Sequence, residues 1–292
     1  MSLKNKLFEF DKKASCCHYE EGQSPDAGIQ KEKIGLLHRV RNDVLVIGTD
    51  EAGRGPGAGG VFASAVYFNA LNDELIEQLS KLNDSKKLSK KAREELYDII
   101  LNNTINSTVC IEVEEIEKIN ILNASLKAMK LACENVIKQI NAPDVILNLI
   151  DCSFQKLVFV KDFPSGQHRT SERPCDPETS SGRSEMHNEI LVLVDGNKLI
   201  KQFEYNQEFI IKGDSKSASI AAASILAKVS RDRYMDELDA KFPNYNWKKN
   251  AGYLTKQHLA AIDEFGITPA HRKTFLRKHF ERITQQSMGL DI

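Results

Sequence analysis

The chain has 292 residues, enough for one large domain or two small ones with a substantial core. It is 41% apolar and 28% charged, the balance of an ordinary globular protein. No apolar run approaches the roughly 18–20 residues that a membrane helix needs. The N-terminus lacks the apolar core of a secretory signal, and the six cysteines have no disulfide-framework spacing. We therefore expect a cytoplasmic monomer without membrane association.

The first half of the chain predicts a short helix, a polar segment and then strands and helices. Residues 3–13 have the pattern of an amphipathic helix, whereas residues 14–43 are polar and indicate a loop or insertion. Apolar or β-branched runs predict strands at 44–47, 60–68 and 108–113. Helical patterning predicts helices at 73–82, 89–101 and 120–140, the last with Cys133 on its apolar stripe.

The second half begins with an ambiguous region. VILNLI (145–150) and KLVFV (156–160) have the composition of strands, and a Ser/Pro/Gly-rich charged stretch follows, typical of a loop or disordered segment. ILVLV (190–194) predicts another buried strand. Helices are predicted at 217–242, 255–265 and 271–281, the first of them rich in Ala and Ser. This order predicts an α/β fold, a mixed sheet flanked by helices with a helical C-terminal region.

Acidic residues stand where strands end or helices begin. Asp50 and Glu51 follow a buried strand, Asp195 follows ILVLV, and Asp214 precedes the long helix. Each acid alone fits a turn or cap, but the ends of neighbouring strands can bring all four together. Clustered carboxylates repel, and a hard divalent cation with oxygen ligands relieves the repulsion. The set therefore predicts a site for Mg²⁺ or Mn²⁺.

The glycine-rich stretch between the first two strands satisfies G-x-G-x-x-G at residues 55–60. A dinucleotide site would need a helix to follow, but the next residues are β-like, and Pro56 removes an amide donor. We expect a tight backbone that lets a sugar-phosphate chain approach, with Arg54 available for a phosphate.

Charge is uneven although the net charge is only −1. Residues 241–282 contain nine Lys or Arg against three acidic residues, a net charge of +6, with aromatic residues such as Tyr245, Trp247, Tyr253 and Phe275 interleaved. This pattern suits a nucleic acid, and a solvated helical face is the alternative.

Seven motifs in order resemble the type 2 ribonuclease H family, ribonuclease HII. They are GTDEAGRGPGAG (48–59), NDSKKLS (83–89), NILNASLKAM (120–129), LVDGNKL (193–199), GDSKSASIAAASILAKVSRDRY (213–234), FPNYNWKKNAGY (242–253) and TPAHRKTF (268–275). The resemblance implies a ribonuclease H-like fold and a four-acid metal site of Asp50, Glu51, Asp195 and Asp214. It also implies that Gly53, Arg54 and Gly55 contact ribose 2′-hydroxyls and that Tyr253 packs on the sugar beyond the cut.

The implied activity is endonucleolytic hydrolysis of the RNA strand of RNA–DNA hybrids by two metal ions. Cutting would include the 5′ side of single ribonucleotides in duplex DNA, would leave 5′-phosphate and 3′-hydroxyl ends, and would serve replication and ribonucleotide excision repair. The expected organisation is an N-terminal helix with a polar insertion (1–43), a catalytic domain (44–240) and a C-terminal substrate-binding region (241–292). Residues 147–188 form an insertion in the catalytic domain.

The sequence departs from the family at Leu254, where the family usually has Gly. Two other classes stay open: another nuclease or recombinase of the ribonuclease H-like superfamily, and a non-catalytic nucleic-acid-binding module. Other members of the superfamily lack the motifs that stand here as Gly53-Arg54-Gly55 and Gly252-Tyr253. A non-catalytic binding module would not need four acids. The tail 285–292 faintly resembles a sliding-clamp-binding peptide, with a frayed terminus as the alternative.

Overall fold

A computed structural model of the protein describes residues 3–16, 44–82, 85, 88–141, 157–159 and 189–287. Among these residues, no helix is long and apolar enough to cross a membrane. The strands are β1 (Leu45–Ala52), β2 (Val61–Tyr67), β3 (Ile105–Ile111), β4 (Leu157–Phe159), β5 (Ile190–Asp195) and β6 (Asn206–Ile210). The helices are α1 (Leu3–Cys16), α2 (Asp73–Gln78), α3 (Lys90–Asn103), α4 (Val113–Ile119), α5 (Ile121–Asn141), α6 (Ala218–Lys241), α7 (Trp247–Asn250), α8 (Lys256–Phe265) and α9 (Lys273–Ser287).

The described strands form one mixed sheet in the order β4-β3-β2-β1-β5-β6. β1, β2 and β3 are antiparallel neighbours, whereas β5 runs parallel to both β1 and β6, and β4 runs parallel to β3. In this register Thr49 of β1 lies opposite Val194 of β5. The next residues along the two strands, Asp50 and Asp195, therefore meet at the same edge of the sheet.

Helices cover both faces of the sheet. α5 packs against β1, β2 and β3 on one face, and α6 packs against β1 and β2 with α3 behind it. α6 lies close because its first half is a buried run of Ala and Ser. At Gly48 a Cβ atom would come within 2.3 Å of the Ile220 amide nitrogen, so only glycine permits this approach.

The C-terminal helices form a separate small core. Trp247 and Leu276 are fully buried, and they cluster with Met235 from the end of α6 and with Ala58 from the glycine-rich loop. The C-terminal region therefore packs directly on the loop between β1 and β2. The domain limits at 44, 240 and 241 stay predictions.

Most of the predicted elements are confirmed, with their ends shifted by a few residues. Cys133 is buried in the core, as predicted, and Ser89 caps α3 by accepting from the Ala92 amide. The strand prediction of 108–113 is wrong at its end, because Ile111 closes β3 and Val113 begins α4.

Three short elements were not predicted from the sequence: α4, α7 and β6. β6 is mostly exposed and lacks the apolar run that marks a buried strand. KLVFV contains β4, inside the predicted insertion, whereas VILNLI lies outside the described residues.

Candidate active site

Asp50 and Glu51 lie within β1, not after it, because pairing with β2 continues to Ala52. Asp50 is only 6% exposed, and one of its carboxylate oxygens accepts from the Glu51 amide at 2.7 Å. The hydroxyl of Ser224 on α6 also hydrogen-bonds to the Asp50 carboxylate. β1 therefore directs Asp50 towards the α6 face of the sheet.

Asp195 is the last residue of β5, and the structure links it to the turn that carries Asp214. The Gly213 amide donates to Asp195 Oδ1 at 2.7 Å. Asp214 follows in the short 3₁₀ turn Gly213–Ser215, directly before α6. The end of β5 and the start of α6 thus meet where β1 carries Asp50.

The carboxylates of this site repel one another. The pKa of Asp50 is raised well above its ordinary value by burial, then by the negative charges of Glu51 and Asp195. The hydrogen bonds from Ser224 and from the Glu51 amide act in the opposite direction. Carboxylate oxygens that repel one another are donors that suit Mg²⁺ or Mn²⁺.

The carboxylates do not form a closed ligand shell. Within the described part of the chain, no group of three or more His, Cys, Asp or Glu side chains is arranged to hold a metal ion. Glu51 forms an ion pair with Arg54, in which Oε1 of Glu51 lies 2.9 Å from Nη1 of Arg54. Asp195 accepts a hydrogen bond from the Gly213 amide. Both carboxylates therefore bind protein groups in this conformation.

The predicted substrate-binding residues lie together beside these acids. Gly55 and Arg54 are exposed, and Gly53 is partly exposed with a φ of 102° that favours glycine. Tyr253 is 54% exposed, and its ring comes within 3.2 Å of where a Cβ atom of Gly55 would lie. The ring and the loop thus form one surface, joined to the acids through the Arg54–Glu51 ion pair.

Arg272, one of the cations of the basic segment 241–282, is buried and holds this loop. Arg272 is fully buried, and its backbone amide donates to the Gly57 carbonyl at 2.8 Å. Its guanidinium donates to the carbonyl oxygens of Arg54, Pro56, Gly59 and Gly60 at 2.7–3.4 Å. The TPAHRKTF motif contained this residue, but its charge suggested a phosphate ligand.

Arg231 of α6 also hydrogen-bonds to this loop. It is 2% exposed, and it donates to the carbonyls of Ala251 at 3.0 Å and Ala58 at 3.3 Å. A Cβ atom at Gly53 would lie 2.3 Å from Arg231 Nε, which is a second reason for glycine there. Burial and the charge of Arg231 lower the pKa of Arg272 to about 9, so Arg272 remains a cation at neutral pH.

Leu254, the departure from the family pattern, packs against the loop. A Cβ atom at Gly57 would lie 2.5 Å from Leu254 Cδ2, and the Gly57 amide donates to the Gly252 carbonyl at 2.9 Å. Gly252 has a φ of 79° and would meet the Ala58 carbonyl if it carried a side chain. Leu254 thus helps to fasten the Tyr253 segment to the loop.

The basic segment 241–282 contributes some of its residues to the C-terminal core and others to the surface. Of the aromatic residues named above, Tyr245 and Trp247 are buried, Phe275 is partly buried and Tyr253 is exposed. The expectation that these rings serve a nucleic acid is therefore wrong for Tyr245 and Trp247, which fill the small C-terminal core. Exposed cations remain at Lys248, Lys249, Lys256, Lys273, Arg277 and Lys278.

This mixed sheet between two helical layers, with acids on β1, β5 and the turn before α6, defines a ribonuclease H-like protein. The sequence profile described as Ribonuclease HII matches residues 47–161 and 183–283. The chain belongs to the ribonuclease HII family and is an endoribonuclease. This family acts on RNA–DNA hybrids and depends on divalent metal ions.

Curated relatives named Ribonuclease HII cover most of the chain. The protein of Fusobacterium nucleatum is 43% identical over 81% of this chain and 87% of its own length. That of Rickettsia akari is 40% identical over 83% of this chain and 98% of its own length. That of Pelagibacter ubique is 42% identical over 79% of this chain and 95% of its own length.

Comparison with solved structures also gave matches to two further proteins. The ribonuclease H2 of Pyrococcus horikoshii is 21% identical, with a TM-score of 0.49 over 82% of this chain and 99% of its own. The ribonuclease HII of Archaeoglobus fulgidus, solved as a complex with PCNA, is 22% identical, with a TM-score of 0.46 over 78% and 93% of the two chains.

Proposed function

We propose that this enzyme cuts the RNA strand of RNA–DNA hybrids, including the 5′ side of a single ribonucleotide embedded in duplex DNA, and leaves 5′-phosphate and 3′-hydroxyl ends. The observation that carries the proposal is the contact between the Tyr253 ring and Gly55, next to the acids. One surface then holds an element for a ribose and an element for the following sugar.

Asp50, Glu51, Asp195 and Asp214 would hold the divalent cations, Mg²⁺ or Mn²⁺. When bound, two such ions would supply an activated water and stabilise charge on the leaving 3′ oxygen. The like charges around Asp50 support this assignment, since a cation would relieve their repulsion. Glu51 would exchange its ion pair with Arg54 for a metal bond, which would free the Arg54 guanidinium for a phosphate.

The Gly53-Arg54-Gly55 segment would recognise a ribose. A glycine has no Cβ atom, so the backbone amides and carbonyls of the loop can approach a 2′-hydroxyl closely. A substrate without that hydroxyl would leave polar loop groups without a partner, at a cost of about 1–3 kcal/mol for each group. The flat face of Tyr253 would pack against the next sugar, where a deoxyribose fits best.

The exposed lysines of the C-terminal helices would grip the duplex through its phosphates. Lys248 and Lys249 on α7 and Lys256 at the start of α8 lie close in sequence to Tyr253. Phosphate contacts give affinity without sequence specificity and make binding weaker as salt increases.

The proposed recognition is tested by comparing two substrates, a duplex with a single ribonucleotide and a duplex with a long RNA tract. Tyr253→Ala should lower the rate on the single ribonucleotide about tenfold relative to the tract, equivalent to about 1.4 kcal/mol of lost contact energy. Tyr205→Ala removes another exposed tyrosine, on the far side of β5, and should leave the ratio unchanged. An unchanged ratio in Tyr253→Ala would contradict the role of the ring.

Three further expectations from the sequence also stay predictions. They are the cytoplasmic location, the monomeric state and the affinity of the tail 285–292 for a sliding clamp. Most of that tail lies outside the described residues.

A further inference from the structure

A buried group of imidazole and indole rings lies directly behind Tyr253. Trp247 and His258 are fully buried, and His271 is 1% exposed. Tyr245 stacks on Trp247 with ring centroids 5.1 Å apart and meets His271 edge-on at 4.8 Å. None of these residues has a part in the proposed metal site or in contact with the substrate.

The hydrogen bonds of His271 define where its proton lies. The Thr268 amide, which can only donate, is 2.9 Å from His271 Nδ1. Nδ1 must therefore accept, and a neutral His271 carries its hydrogen on Nε2. That Nε2 atom lies 3.1 Å from Nε2 of His258 and donates to it.

The bonds of His258 define its tautomer in the same way. The indole N–H of Trp247 can only donate, and it lies 2.9 Å from His258 Nε2. His258 Nε2 therefore accepts from both Trp247 and His271, and its hydrogen is on Nδ1. That Nδ1–H donates to the Tyr253 carbonyl at 2.9 Å.

The chain of bonds thus runs in one direction, from Thr268 through the two histidines to the backbone of Tyr253. A proton added to either ring would set an N–H against another N–H. Burial lowers the pKa of both histidines, and the charge of His258 further lowers that of His271, to about 4. Both rings are therefore neutral at physiological pH.

This series of hydrogen bonds ends at the backbone of Tyr253, whose ring forms the proposed recognition surface with Gly55. The Tyr253 carbonyl also accepts from the Thr255 amide at 2.8 Å, and the Tyr253 amide donates to the Asn250 carbonyl at 2.9 Å. Because the backbone of Tyr253 is held on both sides, its ring has a fixed starting point above Gly55. Of the three hydrogen bonds to the Tyr253 backbone described here, the bond from His258 comes from a side chain and the other two come from the backbone.

We propose that His258 and His271, in these fixed tautomers, are positioning residues that set the Tyr253 ring against Gly55 for recognition of the ribose–deoxyribose step. The proposal rests on the proposed role of Tyr253. It assigns to two buried histidines a contribution to substrate choice rather than to catalysis.

Two substitutions at His258 separate the donor from the acceptor. His258→Gln keeps an acceptor for Trp247 near the Nε2 position but loses the donor to Tyr253. His258→Asn places its amide near Nδ1 and keeps that donor. We expect the ratio of single-ribonucleotide to tract cleavage to fall about fivefold to tenfold in His258→Gln, the effect of one lost hydrogen bond, and to recover in His258→Asn.

A purely structural role would lower the rates on both substrates together and would leave the ratio unchanged, which would overturn the proposal. Tyr253→Ala is measured in parallel. If Tyr253→Ala also leaves the ratio unchanged, the proposed function of the ring is contradicted. If Tyr253→Ala lowers the ratio and His258→Gln does not, only the positioning role of the histidines is contradicted.

Nitrogen-15 NMR of the full-length wild-type protein tests the same chain without any variant. The expected spectrum at pH 7 shows two neutral histidines of opposite tautomer, with His258 protonated at Nδ1 and His271 at Nε2. The reverse tautomers, or a charged ring at either position, would overturn the proposal.

Discussion

The acid site and the recognition loop are neighbours built on opposite electrostatic principles. At the acid site, Asp50 is buried beside Glu51 and Asp195, and like charges are held together by the sheet. In the loop 53–60, backbone carbonyls accept hydrogen bonds from the buried side chains of Arg231 and Arg272. In the first arrangement a metal ion would relieve the repulsion. In the second, the carbonyls of Pro56, Ala58, Gly59 and Gly60 already accept from the two buried arginines. Changes in the former should therefore affect activity, and changes in the latter should affect stability.

The largest effect is expected at the acid site. Asp50→Asn removes one proposed ligand and should lower cleavage on the order of 100-fold to 1,000-fold. Stability should be unchanged or higher, because the substitution removes a buried charge that its neighbours oppose. Turnover is measured on a hybrid duplex, with urea unfolding and hybrid binding as controls. Normal turnover, or loss of folding, would break the contrast between the two regions.

The next effect is expected in the loop. Arg272→Met leaves several buried carbonyls without a donor and should lower the free energy of unfolding by about 3 kcal/mol or more. The matched control is Lys273→Met, since Lys273 is the next residue, has the same charge and is exposed. The control should change stability by no more than about 0.5 kcal/mol. Equal stabilities for the two variants in urea would show that Arg272 does not hold the loop.

Several features that carry the site could be predicted from the sequence. The places of the four acids follow from short-range context, because each stands beside an apolar run or a helix start. Their role as metal ligands stays a prediction. The glycine-rich loop was also separated from a dinucleotide site, since the residues after it have strand composition, and β2 begins at Val61.

Other features depend on contacts between distant segments. Arg272 has the same local pattern as the exposed Lys273, and only the carbonyls of a loop more than 200 residues earlier distinguish them. Trp247 and His258 likewise give no local sign of burial. β6 was missed because its side chains are largely exposed, so it has no apolar run to reveal it.

The smallest effect concerns the pH dependence of stability. Burial and the neighbouring His258 lower the pKa of His271 to about 4 from an ordinary value of 6.5. Between these values the unfolded chain binds a proton that the folded chain excludes. The contribution of His271 to stability is therefore fully present above pH 6.5 and is lost as the pH falls towards 4.

Urea unfolding at pH 7 and pH 5 measures this term by comparing the wild-type protein with His271→Asn. The wild-type protein should lose about 1–2 kcal/mol more than the variant on acidification. Titrating groups that do not contact His271, including Asp50, are present in both proteins and cancel in the comparison. The same pH dependence in both would contradict the neutral chain behind Tyr253.

The most direct test of the central claim maps the products from an end-labelled DNA duplex that contains one ribonucleotide. With Mg²⁺ or Mn²⁺, the account predicts a single cut on the 5′ side of the ribonucleotide, with a 3′-hydroxyl and a 5′-phosphate at the nick, and no cut in EDTA. An all-DNA duplex should be cut poorly. Cleavage confined to tracts of several ribonucleotides, or cleavage that continues in EDTA, would contradict the account.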